Sequence, residues 1–172
     1  MNIRNTLSAS LLALVAGVSF QASAAEATST FKSTASVASS CAILGAANLS
    51  FPAYSFVNNA RGAGPSAIQV RCNRGTTAVV QLDSGLTPAA TSTCDAPLRQ
   101  MKNADGEVLE YTLYKASSFI PADYFGCSTK TQVGLTFDAL ATKVVNVYGS
   151  ITPGQGAKNG SYADTVTVKV TF

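Results

Sequence analysis

Residues 165–172 read TVTVKVTF and are the last of the sequence. Val166, Val168, Val170 and Phe172 fall on one parity, and Thr165, Thr167, Lys169 and Thr171 on the other. Strict alternation over eight residues is the pattern of a half-buried β-strand. The same period recurs upstream. Ser66–Cys72 sets Ile68, Val70 and Cys72 on one face, and Thr77–Asp83 sets Ala78, Val80 and Leu82 inward. Leu98–Met101 and Val108–Tyr114 flank the stretch NADG at 103–106, whose Asp-Gly pair is a hairpin signal because a primed turn needs positive φ. Lys143–Ile151 alternates Val145, Val147, Gly149 and Ile151. No window longer than two turns has a 3.6-residue period; residues 116–130 have room for one short helical turn, bounded by Pro121 and Gly126. Short strands with Gly, Pro, Asn and Ser between them predict an all-β fold, an antiparallel Greek-key sandwich.

The front of the chain reads as a leader. MNIR carries one positive charge, Leu11–Phe20 is apolar, and Ala22-Ser-Ala24 has the small-x-small form of a cleavage site. These features predict a signal peptide over 1–24, since the apolar run is too short to cross about 30 Å of hydrocarbon. No second run of spanning length follows, so no integral membrane segment is expected after processing. The mature chain, Ala25–Phe172, is roughly 148 residues, ordinary for one domain.

Composition excludes much. Without Arg4 the net charge falls from +3 to +2, and the basic residues are scattered, so nucleic-acid binding has little electrostatic support. There is no histidine, hence no imidazole base, no Ser–His pair and no histidine metal ligand. The aspartates sit beside turn signals, where they commonly order backbone; Asp164, just before the final strand, is the clearest example. No enzymatic activity, catalytic residue, metal or cofactor is expected. Cys41, Cys72, Cys94 and Cys127 are an even set in an exported chain, which implies two disulfides with three possible connectivities. Sequential pairing would close two loops of about 30 residues, each stabilising by about 3.5–4 kcal/mol on the chain-entropy model.

Residues 25–40, AEATSTFKSTASVASS, are small, polar and short of material for a core. Yet Phe31, Ser33, Ala35 and Val37 share one parity. A sandwich whose last strand is the final segment of the sequence is expected to lack the strand that should follow it, which predicts an open edge and a groove along Val166, Val168, Val170 and Phe172. An open edge is a template for strand addition by another chain. Residues 31–37 have the length and alternation to fill such a groove in a neighbour, head to tail, and a heterologous contact of that kind need not close.

The stretch VYGSI at 147–151, then Gln155, then GSYADTVTVKVTF at 160–172 resembles the C-terminal signature of the spore coat protein U domain family, which includes pilin subunits of archaic (Csu-type) chaperone–usher pili. LRQM at 98–101 and YTLY at 111–114 resemble the family's Arg-x-Met and Tyr-x-Leu-Tyr segments, and LSFPAY at 49–54 its Asn-Phe-Gly-x-Tyr segment, with Pro52 where Gly is usual. Cys41 and Cys72 stand where the family's first disulfide would require. The resemblance implies an incomplete immunoglobulin-like Greek-key sandwich over 40–172, completed by a donated strand, with the donor in residues 25–39. It implies as partners a periplasmic chaperone that contacts the Val166–Phe172 strand, an outer-membrane usher and other pilin subunits, and export through the periplasm to the cell surface as part of a fimbrium. The alternative is a self-contained secreted β-sandwich, a coat or carbohydrate-binding protein.

Overall fold

Alternating sequence becomes strand where its apolar parity finds a second layer to face. The computed structural model describes residues 25–57 and 65–172; the leader expected over 1–24 lies outside the described residues. The chain divides into two units at Ser36/Val37. The described part of the first, residues 25–36, carries no secondary structure.

The second unit, Val37–Phe172, contains β1 (Cys41–Ala46), β2 (Ser66–Cys72), β3 (Thr76–Leu82), β4 (Arg99–Lys102), β5 (Val108–Tyr114), β6 (Val133–Phe137), β7 (Ala141–Ile151) and β8 (Val168–Thr171). They form two antiparallel sheets, one of five strands in the order β1-β2-β7-β5-β4 and one of three in the order β6-β3-β8. The one short helical element among the described residues is a 3-10 turn at Pro121–Asp123, inside the window the sequence left for it. No helix among the described residues is long and apolar enough to cross a membrane.

The inward parities meet between the layers. Ile68, Val70, Val145, Val147 and Ile151 come from the larger sheet; Ala78, Val80, Leu82 and Phe137 come from the smaller. Each fully buried aliphatic or aromatic side chain contributes about 1.5–3 kcal/mol relative to exposure. Cys41 is joined to Cys72, and Cys94 to Cys127, at sequence separations of 31 and 33. The first bridge ties the start of β1 to the end of β2. The second joins the loop before β4 to the loop after the 3-10 turn. At 103–106 the Asn103 side-chain oxygen accepts from the N–H groups of Asp105 and Glu107, and Gly106 takes φ +85°, as the hairpin signal requires.

Two strands carry no reading in the sequence analysis. β1 is exposed at five of its six positions, so it has no alternation to detect; pairing with β2 and the Cys41–Cys72 bridge hold it. β6 does alternate, through Val133, Leu135 and Phe137. The final strand is shorter than TVTVKVTF suggests. Before Val168 the ladder gives way to side-chain bonding: the Thr167 N–H donates to Asp83 Oδ1 at 2.9 Å, and the Thr165 N–H to Asp164 Oδ1 at 2.8 Å.

Gly149 sets a close approach. A Cβ there would lie 2.5 Å from Phe51 Cζ and 2.7 Å from Leu49 Cδ2. The irregular segment 47–54 can therefore lie on the inner face of β7, with the Phe51 ring edge-on to Tyr111 at 5.7 Å. Gly149→Val is expected to overpack this contact and destabilise the domain by about 1–3 kcal/mol, a fall in Tm of roughly 3–10 °C by thermal melting. An unchanged Tm would mean that 47–54 does not pack here in solution.

Candidate functional site

Two sheet edges meet on one side of the sandwich. β8 ends the three-stranded sheet, with β3 its one partner strand among the described residues; β1 ends the five-stranded sheet, and the two approach across the layers. Beside them opens a groove of about 520 Å³. Its floor is core: Ile68, Leu82, Leu113 and Val147 line it, each no more than 6% exposed. One wall is Ala46–Phe51, and the other is Tyr162–Val166 together with Val168. A second cavity of about 510 Å³ shares Leu49, Phe51, Met101 and Tyr162 with the first and continues beneath residues 157–160. Gln155 holds that region in place. Its side chain donates to the carbonyls of Glu110 and Thr152 and accepts from the Glu110 N–H, and its main chain exchanges hydrogen bonds with the Tyr54 hydroxyl.

The direction of the groove follows from register. β2 ends at Cys72, a three-residue turn follows, and β3 starts at Thr76. β8 runs antiparallel to β3, with Val168 opposite Leu82 and Thr171 opposite Val79. Cys41 pairs with Cys72 and Ala46 with Ile68. Thus Cys41 lies at the 73–75 turn end and Thr171 opposite the middle of β3, while Ala46, Ser66, Leu82 and Val168 lie at the far end, beside the groove.

A polar frame fixes the lip. Tyr111 donates its hydroxyl proton to Asp164 Oδ2 at 2.7 Å, and the Leu86 N–H donates to Asp164 Oδ1 at 2.9 Å. Burial first, then the bond to Asp164 and its negative charge, push the Tyr111 pKa well above its ordinary value, so this hydroxyl stays a donor. Arg99 is fully buried opposite Tyr111. Its Nε and Nη2 donate to the Asp83 carbonyl at 2.9 and 2.6 Å, and Nη2 also to the Phe125 carbonyl at 2.9 Å. Burial lowers the Arg99 pKa, opposed by Tyr111 and by the charges of Asp83 and Asp164. Partial burial raises the pKa of Asp83, but the bonds from Thr167 and Gly85 and the Arg99 charge outweigh it and hold the carboxyl below its ordinary value. The ionised carboxylate is the stronger acceptor for the Thr167 and Gly85 N–H groups, which both donate to its Oδ1.

The sequence-predicted residues fall as follows. Val166, Val168 and Val170 are half-buried against the core. Val166 and Val168 line the groove, Val170 sits opposite Val80, and Phe172 lies beyond β8, more than half exposed. In the N-terminal segment Phe31, Ser33, Ala35 and Val37 are all exposed, Phe31 at 93% and Val37 at 86%. The four cysteines lie outside the groove lining. Sequence reasoning did not identify the 47–51 wall or the frame of Asp83, Arg99 and Tyr111. The wall had a signal in the apolar pair Leu49 and Phe51. For the frame the family resemblance marked Arg99 and Tyr111 separately, but nothing joined them to Asp83, since these residues are distant in sequence and meet only through the fold. The arrangement presents an apolar floor beside a one-sided strand, which is how proteins add an extended strand from another chain.

Comparison with known proteins agrees with this architecture. The model of the Spore Coat Protein U domain matches residues 27–169. Protein U of Myxococcus xanthus is 38% identical over 183 residues, covering 100% of both chains. A crystal structure of the CsuC–CsuE chaperone–tip adhesion subunit pre-assembly complex, from archaic chaperone–usher Csu pili of Acinetobacter baumannii, contains a similar fold. The TM-score is 0.50 and the identity 26%, over 79% of this chain; the match spans only 40% of that chain. With a family match over residues 27–169 and a full-length relative at this identity, the chain belongs to the spore coat protein U domain family.

Proposed function

We propose that this chain is a structural subunit of a chaperone–usher surface pilus that polymerises by donor-strand complementation and supports adhesion or biofilm formation. One observation carries the reading: among the described residues β8 is hydrogen-bonded on one side only, next to a groove floored by core residues. Leu49, Phe51, Val166 and Val168 on its walls are only half-buried, and the water they still meet is a standing free-energy cost that a strand from another polypeptide removes. The processed chain begins at Ala25, residues 25–39 act as donor, and residues 40–172 form the accepting domain. In the periplasm a chaperone lends a strand to the groove and contacts the Val166–Phe172 edge. At an outer-membrane usher, residues 28–38 of the incoming subunit take its place, and the fibre emerges at the cell surface. Phe31 and Val37 contribute about 1.5–3 kcal/mol each on full burial. Main-chain hydrogen bonds at about 0.5–1.5 kcal/mol apiece bring the gross gain above ~8 kcal/mol.

The experiment is export of the full chain with and without residues 25–38, followed by gel electrophoresis with and without boiling. Ladders that survive detergent, and vanish on deletion, support the reading. The name of the full-length relative, Protein U, in a family named for the spore coat, favours a second reading as a self-contained secreted coat protein. A soluble monomer, stable without any chaperone and indifferent to the deletion, would establish that reading instead.

A further inference from the structure

We propose that Asn73 is a positioning residue that keeps the base of the N-terminal segment in line with β1, so that the segment is offered to a second copy of this chain and not to its own groove. This rests on the pilin reading above. Asn73 opens the three-residue turn between β2 and β3. Its backbone N–H donates to the Ser40 carbonyl at 3.0 Å, and its side-chain Nδ2 donates to the Ala38 carbonyl at 2.9 Å. Ala38 and Ser40 are alternate residues, and in an antiparallel ladder alternate residues bond to the same neighbour. Asn73 therefore extends the β1–β2 ladder past the Cys41–Cys72 bridge. Its main chain supplies one rung and its amide supplies the next, where β2 has already turned away.

The consequence is directional. Read backwards from Cys41, the chain continues along the Asn73 bonds to Ala38, at the 73–75 turn end of the sandwich. The groove is at the opposite end, beside Ala46, Ser66 and Val168. For the segment to enter the groove of its own domain, the chain must reverse within residues 38–40. That reversal breaks both Asn73 bonds. A neighbour's segment meets no such constraint. Asn73 thereby biases the choice between self-occlusion and polymer, and it is not among the residues that line the groove.

The test compares the full-length wild type with Asn73→Ala and the near-isosteric Asn73→Asp, which lacks the Nδ2 donor. Each is exported to a bacterial periplasm, its detergent-stable ladder is quantified against monomer, and hydrogen exchange is measured over 31–37 in the monomer fraction. The wild type is expected to form ladders, and its monomer to exchange rapidly over 31–37. Both variants are expected to raise the monomer-to-polymer ratio roughly two- to tenfold, the worth of one ordinary hydrogen bond, with 31–37 protected in their monomers. Variants that ladder like the wild type, with 31–37 still unprotected, overturn the role of Asn73 and leave the pilin reading intact. A wild-type monomer already protected over 31–37 overturns it as well. A wild type that forms no ladder and shows no protection overturns the pilin reading and this inference with it.

Discussion

Val168→Asp is expected to give a folded subunit that no strand can complete, with ladder yield reduced at least about 100-fold. Val168 is half-buried on the groove wall, paired with Leu82 and open on its other side. In the unfilled subunit a carboxylate there keeps contact with water, so the domain folds. Once a strand covers it, that carboxylate is stripped of water with no basic partner among the groove-lining residues. The effective penalty is several kcal/mol, and each 1.4 kcal/mol is a factor of ten in affinity. Phe31→Asp is the complementary change, with the groove intact and the donor spoiled. Co-export of the two variants should yield a dimer, Val168→Asp donating to Phe31→Asp, and no longer species. The measurements are circular dichroism of the monomers and the ladder assay. Normal ladders from Val168→Asp would show that the groove beside β8 is not where subunits join.

The second large effect is on folding. Arg99→Ala is expected to destabilise the domain by about 3–5 kcal/mol, a fall in Tm of roughly 10–15 °C. The guanidinium is fully buried and bridges two carbonyls distant in sequence, Asp83 after β3 and Phe125 in the loop before β6. Its loss leaves both carbonyls without this donor and opens a cavity among the core residues around Tyr111 and Phe125. It also removes a positive charge that favours the Asp83 carboxylate. Arg99→Lys is expected to recover little, because a single ammonium cannot reproduce the fork that reaches both carbonyls. A Tm within about 2 °C of wild type for Arg99→Ala would mean that this buried charge is structurally dispensable. Arg99 drew notice in the sequence only through the family's Arg-x-Met resemblance; nothing in local pattern distinguishes a buried arginine from a solvated one on a short strand.

Where local chemistry and tertiary demand coincide, the sequence was readable. β2, β3, β5 and β7 lie within a residue or two of where their alternation put them, because each has one face on the core and one on solvent, and a period of two is the direct consequence. The 103–106 hairpin was readable for the same reason, since its Asn and Gly are the residues that the turn geometry admits. β1 was not, because its side chains are mostly exposed and its place is set by a partner strand and a disulfide, both non-local. The length of β8 was overestimated because alternation records which face a side chain takes, not whether the backbone has a neighbour. Asp83 and Asp164 capture the N–H groups of Thr167 and Thr165 before the ladder begins.

By itself, then, the sequence determined the class of fold, the layer to which each alternating segment turns its apolar side, and the presence of an alternating N-terminal stretch too poor in apolar residues to build a core of its own. Only the tertiary structure decided that, among the described residues, the last strand is bonded on one side, that the groove lies at the far end from Cys41, and that Asp83, Arg99, Tyr111 and Asp164 meet at its lip. The physical reason is range. Side-chain periodicity is a property of neighbours in the chain, whereas a vacant edge and a buried charge network exist only between segments that folding brings together.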